Sequence, residues 1–258
     1  MNKRLSFSSL KAFSDCEAEA VAVMAEEWDR QATFSSSTIE AMNAGSYVHK
    51  YFESNKALEE FKLEHESDMF TKKGSLKSQF QIAEKMVQTL DNDPLFKTIY
   101  QGVKELEIFG KIQGIEFHGF LDCLNLERNI FIDIKTIRGS IRDKEWSETE
   151  YRRVSWIKAR KYLWQMAIYQ EILRQSDDEK IGKNISPVIY AVTKETFPDS
   201  AGITIPQEWL DDSLDEVCEF TDKYIEVLNG RVPVRCEQCN YCKATKRNIQ
   251  TISYSDLI

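Results

Sequence analysis

No apolar run in the chain approaches the roughly 18 residues that a membrane-spanning helix needs, so no span is expected. The opening MNKRLSFSSLKAF has basic residues but lacks the apolar core of a signal peptide, which makes the cytoplasm the expected location. No internal repeat, low-complexity tract or long Gly/Ser linker interrupts the sequence, so residues 1–258 are expected to form a single domain. Positive charge is also short. The 34 Lys and Arg against 42 Asp and Glu leave a net −8, which argues against a protein that coats nucleic acid through its overall field. Local basic patches remain compatible with that balance, as do carboxylates that collect a metal. Cysteine is sparse at six residues, yet three fall within seven positions; where thiols stay reduced, such a cluster points to metal rather than disulfides. What is present is ordinary for a globular protein: 42% hydrophobic and 29% charged residues, in a chain long enough for a sizeable core.

Residues 9–28 place Leu10, Phe13, Val21, Met24 and Trp28 at helical spacing behind Ser8 or Ser9 as a cap. A second helix is expected over residues 45–62. A third is signalled by Leu76, Phe80, Ala83, Val87 and Leu90 and stops before Pro94. From Glu105 the period becomes alternating, in ELEIF, GIEFHGFLDCLNL and NIFIDIKTI with turn residues between them, which reads as a three-strand meander. A helix over residues 155–175, a strand in PVIYAVT and a helix through Leu210, Leu214, Val217, Tyr224 and Leu228 complete the order. The expected fold class is α/β: a mixed central β-sheet with an antiparallel three-strand meander, flanked by helices.

Within NIFIDIKTI, alternation puts Phe131, Asp133, Lys135 and Ile137 on one face and Ile130, Ile132, Ile134 and Thr136 on the other. Charged residues are rarely buried without compensation, so the first set needs a reason. If Glu127 and Arg128 form a two-residue turn, Leu126 pairs with Asn129 and Asp122 falls opposite Asp133. Directly opposed residues have Cβ atoms about 4.5–5.5 Å apart, where two carboxylates repel. A divalent cation between them reverses that sign, and hard oxygen ligands suit Mg²⁺ or Mn²⁺. Lys135, diagonal to Asp122, then stands beside a bound phosphate or an attacking water. The D-x-K tripeptide alone also fits a salt bridge on an edge strand.

Three further stretches accompany it: AGSYVHKYFE at residues 44–53, GFLD at 119–122 and WQMAIYQE at 164–171. With IDIKT at 132–136 they have the order and spacing of the PD-(D/E)XK nuclease motifs. The chain resembles the RecB-type branch of that superfamily, in particular its exodeoxyribonuclease VIII-like (RecE-like) members, often encoded by phages and prophages. The resemblance implies that His49, Asp122 and Asp133 ligate Mg²⁺ or Mn²⁺, and that Asp122, Asp133 and Lys135 are catalytic. Gln165 and Tyr169, four apart on one helix face, would support the site or contact DNA. Many relatives add a Glu ahead of the GxxD strand, for which Glu105 and Glu107 both qualify. The implied activity is metal-assisted hydrolysis of DNA phosphodiesters, resecting double-stranded ends for recombination with a phage single-strand annealing protein as partner. Relatives form rings around DNA, so a homo-oligomer is an expectation. The alternatives are a Cas4-like nuclease acting on single strands and a catalytically inactive DNA-binding or assembly protein.

RCEQCNYCKATKR supplies Cys236, Cys239 and Cys242, which need a fourth ligand to complete a tetrahedral Zn²⁺ site or a [4Fe–4S] cluster. Cys16 in LKAFSDCEAEA is the natural candidate. The arrangement is similar to the iron–sulfur members of the RecB-type branch, with one cysteine before the nuclease core and three after it. Its last gap is two residues where those enzymes commonly have five. An iron–sulfur cluster is the first expectation, structural zinc or free thiols the alternatives. Any of the metals would staple an N-terminal helix, about 8–30, to a Cys-rich segment, about 231–247. Cys123 and Cys218 read as small apolar core residues. Lys243, Lys246 and Arg247, with Arg152, Arg153, Lys158, Arg160 and Lys161, are candidates for gripping DNA phosphates or for a plain solvated face.

Overall fold

The computed structural model describes residues 4–147, 150–178, 181, 185–246, 251 and 253–257. Its chain begins with the short β1 (Arg4–Leu5), and Ser6 caps α1 (Phe7–Asp15) by a reciprocal side-chain and backbone exchange with Ser9. The single helix expected over 9–28 is two. Cys16 takes an extended conformation, ends α1 and caps α2 (Glu17–Met24), its sulfur accepting the Glu19 amide. Ser8 and Ser9 therefore lie inside α1 and not at its cap. The second expected helix is also divided: α3 (Ser36–Glu53) starts behind Ser35, and Ser54 ends it and caps α4 (Asn55–Glu64). The short α5 (Glu66–Met69) precedes α6 (Ser78–Asn92), after which Pro94 opens α7 (Pro94–Ile99), a position where its missing N–H costs nothing.

The meander is β2 (Val103–Ile112), β3 (Ile115–Asn125) and β4 (Ile130–Ile137). A hairpin of β5 (Lys144–Ser147) and β6 (Arg152–Ser155) follows, which the sequence pattern does not announce. The helix expected over 155–175 is α8 (Trp156–Ala159) and α9 (Tyr162–Arg174), divided at Lys161, whose φ of 58° is left-handed. β7 (Ser186–Thr193), β8 (Ser200–Thr204), α10 (Gln207–Leu228) and α11 (Asn240–Ala244) complete the chain.

The main sheet runs β1-β3-β4-β7-β8, with β2 also on β3; β1–β3 and β4–β7 are parallel and the other pairs antiparallel. The mixed sheet is as expected. Helices cover both faces. Phe117, Leu121, Phe131 and Ile137 pack with Phe13 of α1, Ile168 of α9 and Tyr224 of α10. Ile132, Ile134, Val188 and Tyr190 pack with Val48 of α3, Phe80 of α6 and Phe96 of α7. Full burial of such a side chain contributes roughly 1.5–3 kcal/mol, which fixes the register of β4 by its apolar residues and carries Asp133 and Lys135 in with them. Among the described residues, no helix is long and apolar enough to cross a membrane.

The β3–β4 register pairs Cys123 with Ile132, Leu124 with Phe131 and Asn125 with Ile130, as the two-residue turn requires. Continued by count, it sets Asp122 against Asp133. Pairing stops at Cys123, however, while β4 stays paired with β7 as far as Ile137 and Thr193. At this level the alternation of β3 loses phase: Leu121 packs in the first core, Cys123 in the second and Leu124 in the first again. Glu105 on β2 has a left-handed φ of 48°, and the β2–β3 register omits both Glu105 and Asp122. The sheet opens at Asp122.

Candidate active site

Asp122 fills part of that opening itself. Its Oδ2 accepts the Ile134 amide at 2.6 Å, a side chain standing where a strand carbonyl would be. Its Oδ1 lies 3.2 Å from Nδ1 of His49, which arrives from α3. The close seat of α3 depends on Gly45, where a Cβ would stand 3.1 Å from Thr136 Oγ1. Tyr100 anchors the backbone from below by donating its hydroxyl to the Asp122 carbonyl at 3.0 Å.

From the opposite face, α9 supplies a clamp. Gln165 Nε2 donates to Asp133 Oδ1 at 2.9 Å and to the Tyr169 hydroxyl at 3.2 Å, while its Oε1 accepts from Lys135 Nζ at 2.8 Å. Tyr169 comes this close to β3 because residue 119 is glycine: a Cβ there would be 2.3 Å from the tyrosine ring. Lys135 Nζ sits 2.7 Å from Asp133 Oδ2 and 4.4 Å from the Tyr162 ring centre. The Asp133–Lys135 contact is an ion pair without hydrogen-bond geometry, and Asp133 Oδ2 has no hydrogen-bond partner among the described residues. The expectation that Lys135 stands apart from any salt bridge is thus corrected. Both groups are nearly out of water, where a charge left beside an opposite charge without pairing is costly. In sheet order the strand lies between β3 and β7, but from Asp133 to Ile137 only β7 is paired with it, so the ion pair sits where the sheet is open.

The fields at the two aspartates differ. Burial opposes the charge of Asp122, but His49, Lys135 and the Ile134 amide outweigh it and hold the carboxyl below its ordinary range. At Asp133 burial dominates, and with the Asp122 charge it outweighs Lys135 and raises the pKa. Burial also opposes the charges of Lys135 and His49; the carboxylates overcome it, and both are raised. Burial pushes the Tyr169 phenol up to about 12, so it stays protonated. Of the two candidate glutamates, half-buried Glu105 belongs to this field, its pKa raised by burial and then by Asp122, whereas Glu107 is exposed and pairs with Phe120 in the ladder.

His49, Asp122, Asp133, Lys135, Gln165 and Tyr169 therefore reach one opening, as two contacting sets: His49 with Asp122, and Asp133 with Lys135, Gln165 and Tyr169. Among the described residues, the side chains placed so that they could hold a metal ion are Cys16, Cys236, Cys239 and Cys242, with all sulfurs within 4.8 Å of one another. Cys123 is buried in the second core and Cys218 packs at the edge of the first.

A cleft of about 370 Å³ leads to Lys135, lined by Ser8 and Lys11 of α1, Arg30, Tyr162 and Gln165. Sequence reasoning missed Lys11 and Arg30, since neither sits in a motif and only the fold brings them to Lys135. The basic residues around the β5–β6 hairpin are mostly taken. Arg152 and Lys158 share Glu150, Arg160 makes a two-pronged pair with Glu145, and Lys161 is turned onto Ser14 and Asp15. Arg247 lies outside the described residues.

A sheet covered by helices on both faces, opened where two aspartates and a lysine converge from adjacent strands and a helical glutamine bridges them, defines the PD-(D/E)XK class. Residues 6–245 match the family described as PDDEXK-like domain of unknown function (DUF3799), and the chain belongs to that family. It is also similar, at 29% identity and a TM-score of 0.84, to a protein from Eubacterium rectale described as a "putative exonuclease", whose crystal structure is known at 2.19 Å. The alignment covers 99% of this chain and 92% of that one. No curated protein matches. Neither finding singles out the RecE-like branch.

Proposed function

We propose that this protein is a metal-dependent deoxyribonuclease that hydrolyses DNA phosphodiesters, acting as a RecE-like exonuclease on double-stranded ends. The observation that carries the reading is Asp133: buried, clamped with Lys135 by Gln165, and opposite Asp122 at the opening of the sheet, with Oδ2 lacking a hydrogen bond among the described residues. A hard carboxylate oxygen left without a donor fits a hard cation, so Asp122 and Asp133, with His49, would hold Mg²⁺ or Mn²⁺. Such an ion supplies Lewis-acid polarisation of the phosphate and lowers the pKa of water.

The chain's own groups do the rest. Lys135 stays charged; Gln165 accepts from one of its three N–H donors and Asp133 lies against it as an ion pair, so donors remain for a phosphate oxygen entering the cleft. Gln165 holds Lys135 and Asp133 at fixed separation, so charge developing on the phosphate meets a donor already in place. Lys11 and Arg30 line the approach and offer further phosphate contacts. The relative described as an exonuclease supports the end-directed form of the activity. Resection for recombination, an annealing-protein partner and a homo-oligomeric ring extend it by resemblance.

The test is degradation of blunt duplex, tailed duplex and single-stranded DNA with Mg²⁺ and with EDTA. Loss of duplex ends only with Mg²⁺ is expected. Degradation of single strands alone would move the assignment to the Cas4-like alternative. Binding without cleavage under any divalent ion would leave the inactive DNA-binding reading.

A further inference from the structure

The four cysteines have no part in the chemistry proposed at the carboxylates, and their geometry carries its own conclusion. Cys16 lies between α1 and α2; Cys236, Cys239 and Cys242 lie in and before α11, more than 200 residues later. Sγ of Cys16 is 3.6 Å from that of Cys242 and 3.8 Å from that of Cys239, and Cys236 is 4.0 Å from Cys242. These separations are too long for disulfides, whose sulfurs stand about 2.05 Å apart. These three lie close to the edge of a tetrahedron around one ion, since a metal–sulfur bond of about 2.3 Å sets neighbouring sulfurs about 3.8 Å apart, and all the sulfurs stay within 4.8 Å of one another. A [4Fe–4S] cube carries each thiolate outward on a separate iron, with the whole cube between them, and so needs a wider set.

The surroundings are built for thiolate. Cys236 Sγ accepts the amides of Gln238 and Cys239 at 3.5 and 3.3 Å, in a tight turn that Glu237 completes with a left-handed φ of 58°. Cys239 Sγ accepts the Cys242 amide at 3.4 Å, and Cys16 Sγ accepts the Glu19 amide at 3.5 Å. Backbone N–H donors aimed at sulfur stabilise its anion and fix its direction, as partners of metal ligands do. Two of the four, Cys16 and Cys242, are buried.

We propose that Cys16, Cys236, Cys239 and Cys242 bind a single zinc ion as a closed tetrahedral S₄ site, in place of the iron–sulfur cluster that the resemblance implies. Four protein ligands leave no open position, so the ion is structural. Each thiol gives up its proton on binding. What the ion fastens is the seam between the chain's two ends, where Glu17 also takes Arg231 and the Val234 amide, and Ala18 donates to the Val234 carbonyl. Because α1 ends at Cys16, the same staple holds the helix whose Ser8 and Lys11 line the cleft to Lys135.

The test is metal and acid-labile sulfide analysis of the full chain, purified with and without air, followed by cobalt exchange. One zinc per chain, no sulfide, and after exchange the visible absorption of tetrahedral cobalt–thiolate are expected. Cys16→Ser and Cys242→Ser should lose that absorption. Four irons with matching sulfide would overturn the proposal. So would a metal-free chain whose four thiols all react freely with a thiol reagent. Because the wild-type content decides, a variant that fails to fold does not blunt the test, and the outcome is independent of whether DNA is cut.

Discussion

Asp93 and Asp133 both lie against the central sheet, on neighbouring strands' helices and ladders, yet their oxygens are treated differently. At the start of α7, Asp93 accepts the Leu95 and Phe96 amides on Oδ1 and the Tyr190 and Ser200 hydroxyls on Oδ2. Burial opposes its charge, but these donors win and hold the carboxyl below its ordinary range. Asp133 receives one hydrogen bond, from Gln165, and its pKa is raised. Asp93 ties an irregular junction together with nothing left over. Asp133 Oδ2 instead faces the Lys135 ammonium at 2.7 Å without a hydrogen bond among the described residues, and it is the oxygen on which the proposed cation site rests.

The largest effect should come from breaking the second of these. Asp133→Asn should lower the DNA cleavage rate on the order of 10³-fold, because several kcal/mol of charge stabilisation in the transition state depend on it. Its melting temperature should fall, because the substitution leaves the buried Lys135 ammonium without the carboxylate that compensates it. Activity that survives the substitution would mean that the site is misplaced. Next in size, Gln165→Leu removes the bridge between Asp133 and Lys135, and a loss of about 10–100-fold is expected, typical of groups that orient ligands without touching substrate. The loss should fall on kcat more than on KM for DNA; a pure KM effect would make Gln165 a DNA contact instead.

The contrast also explains what could be read from sequence. His49, Asp122, Asp133, Lys135, Gln165 and Tyr169 were legible because motif order and strand parity are properties of the chain itself, and the Glu127–Arg128 turn fixed the count between the aspartates. The parting of β3 from β4 was not legible. It arises where Asp122 replaces a ladder partner and Glu105 turns left-handed, and no residue type there demands either. Glu105 and Glu107 looked alike for the same reason: ideal alternation gives them one face, and the kink at Glu105 removes that equivalence. That Cys16 joins the other three cysteines was legible, but its helix break was not, since cysteine is a rare cap. Asp93 drew no notice because two of its four donors are tertiary and the other two belong to a helix that begins only with it.

Packing behind Asp133 should be less tolerant than composition suggests. Gly119→Ala puts a methyl 2.3 Å from the Tyr169 ring, and because that ring is itself buried the strain should cost about 1–3 kcal/mol in urea unfolding. Tyr169→Leu in the same chain should restore part of that loss, a coupling that two independent defects would not show.

The smallest expected effect sharpens the comparison from the other side. Asp93→Asn keeps shape and one acceptor but removes charge from a helix cap and two hydroxyl partners, which should cost about 1–2 kcal/mol at neutral pH with cleavage unchanged. The pH dependence has a definite sign. The folded pKa lies below the unfolded value of 3.8, so the charged cap's contribution is complete above that value and disappears as pH falls through the folded one. The stability gap between wild type and Asp93→Asn should therefore be flat near neutrality and close in acid. A gap that persists unchanged below the folded pKa would mean that Asp93 acts through shape alone, and that its four donors do not distinguish it from Asp133.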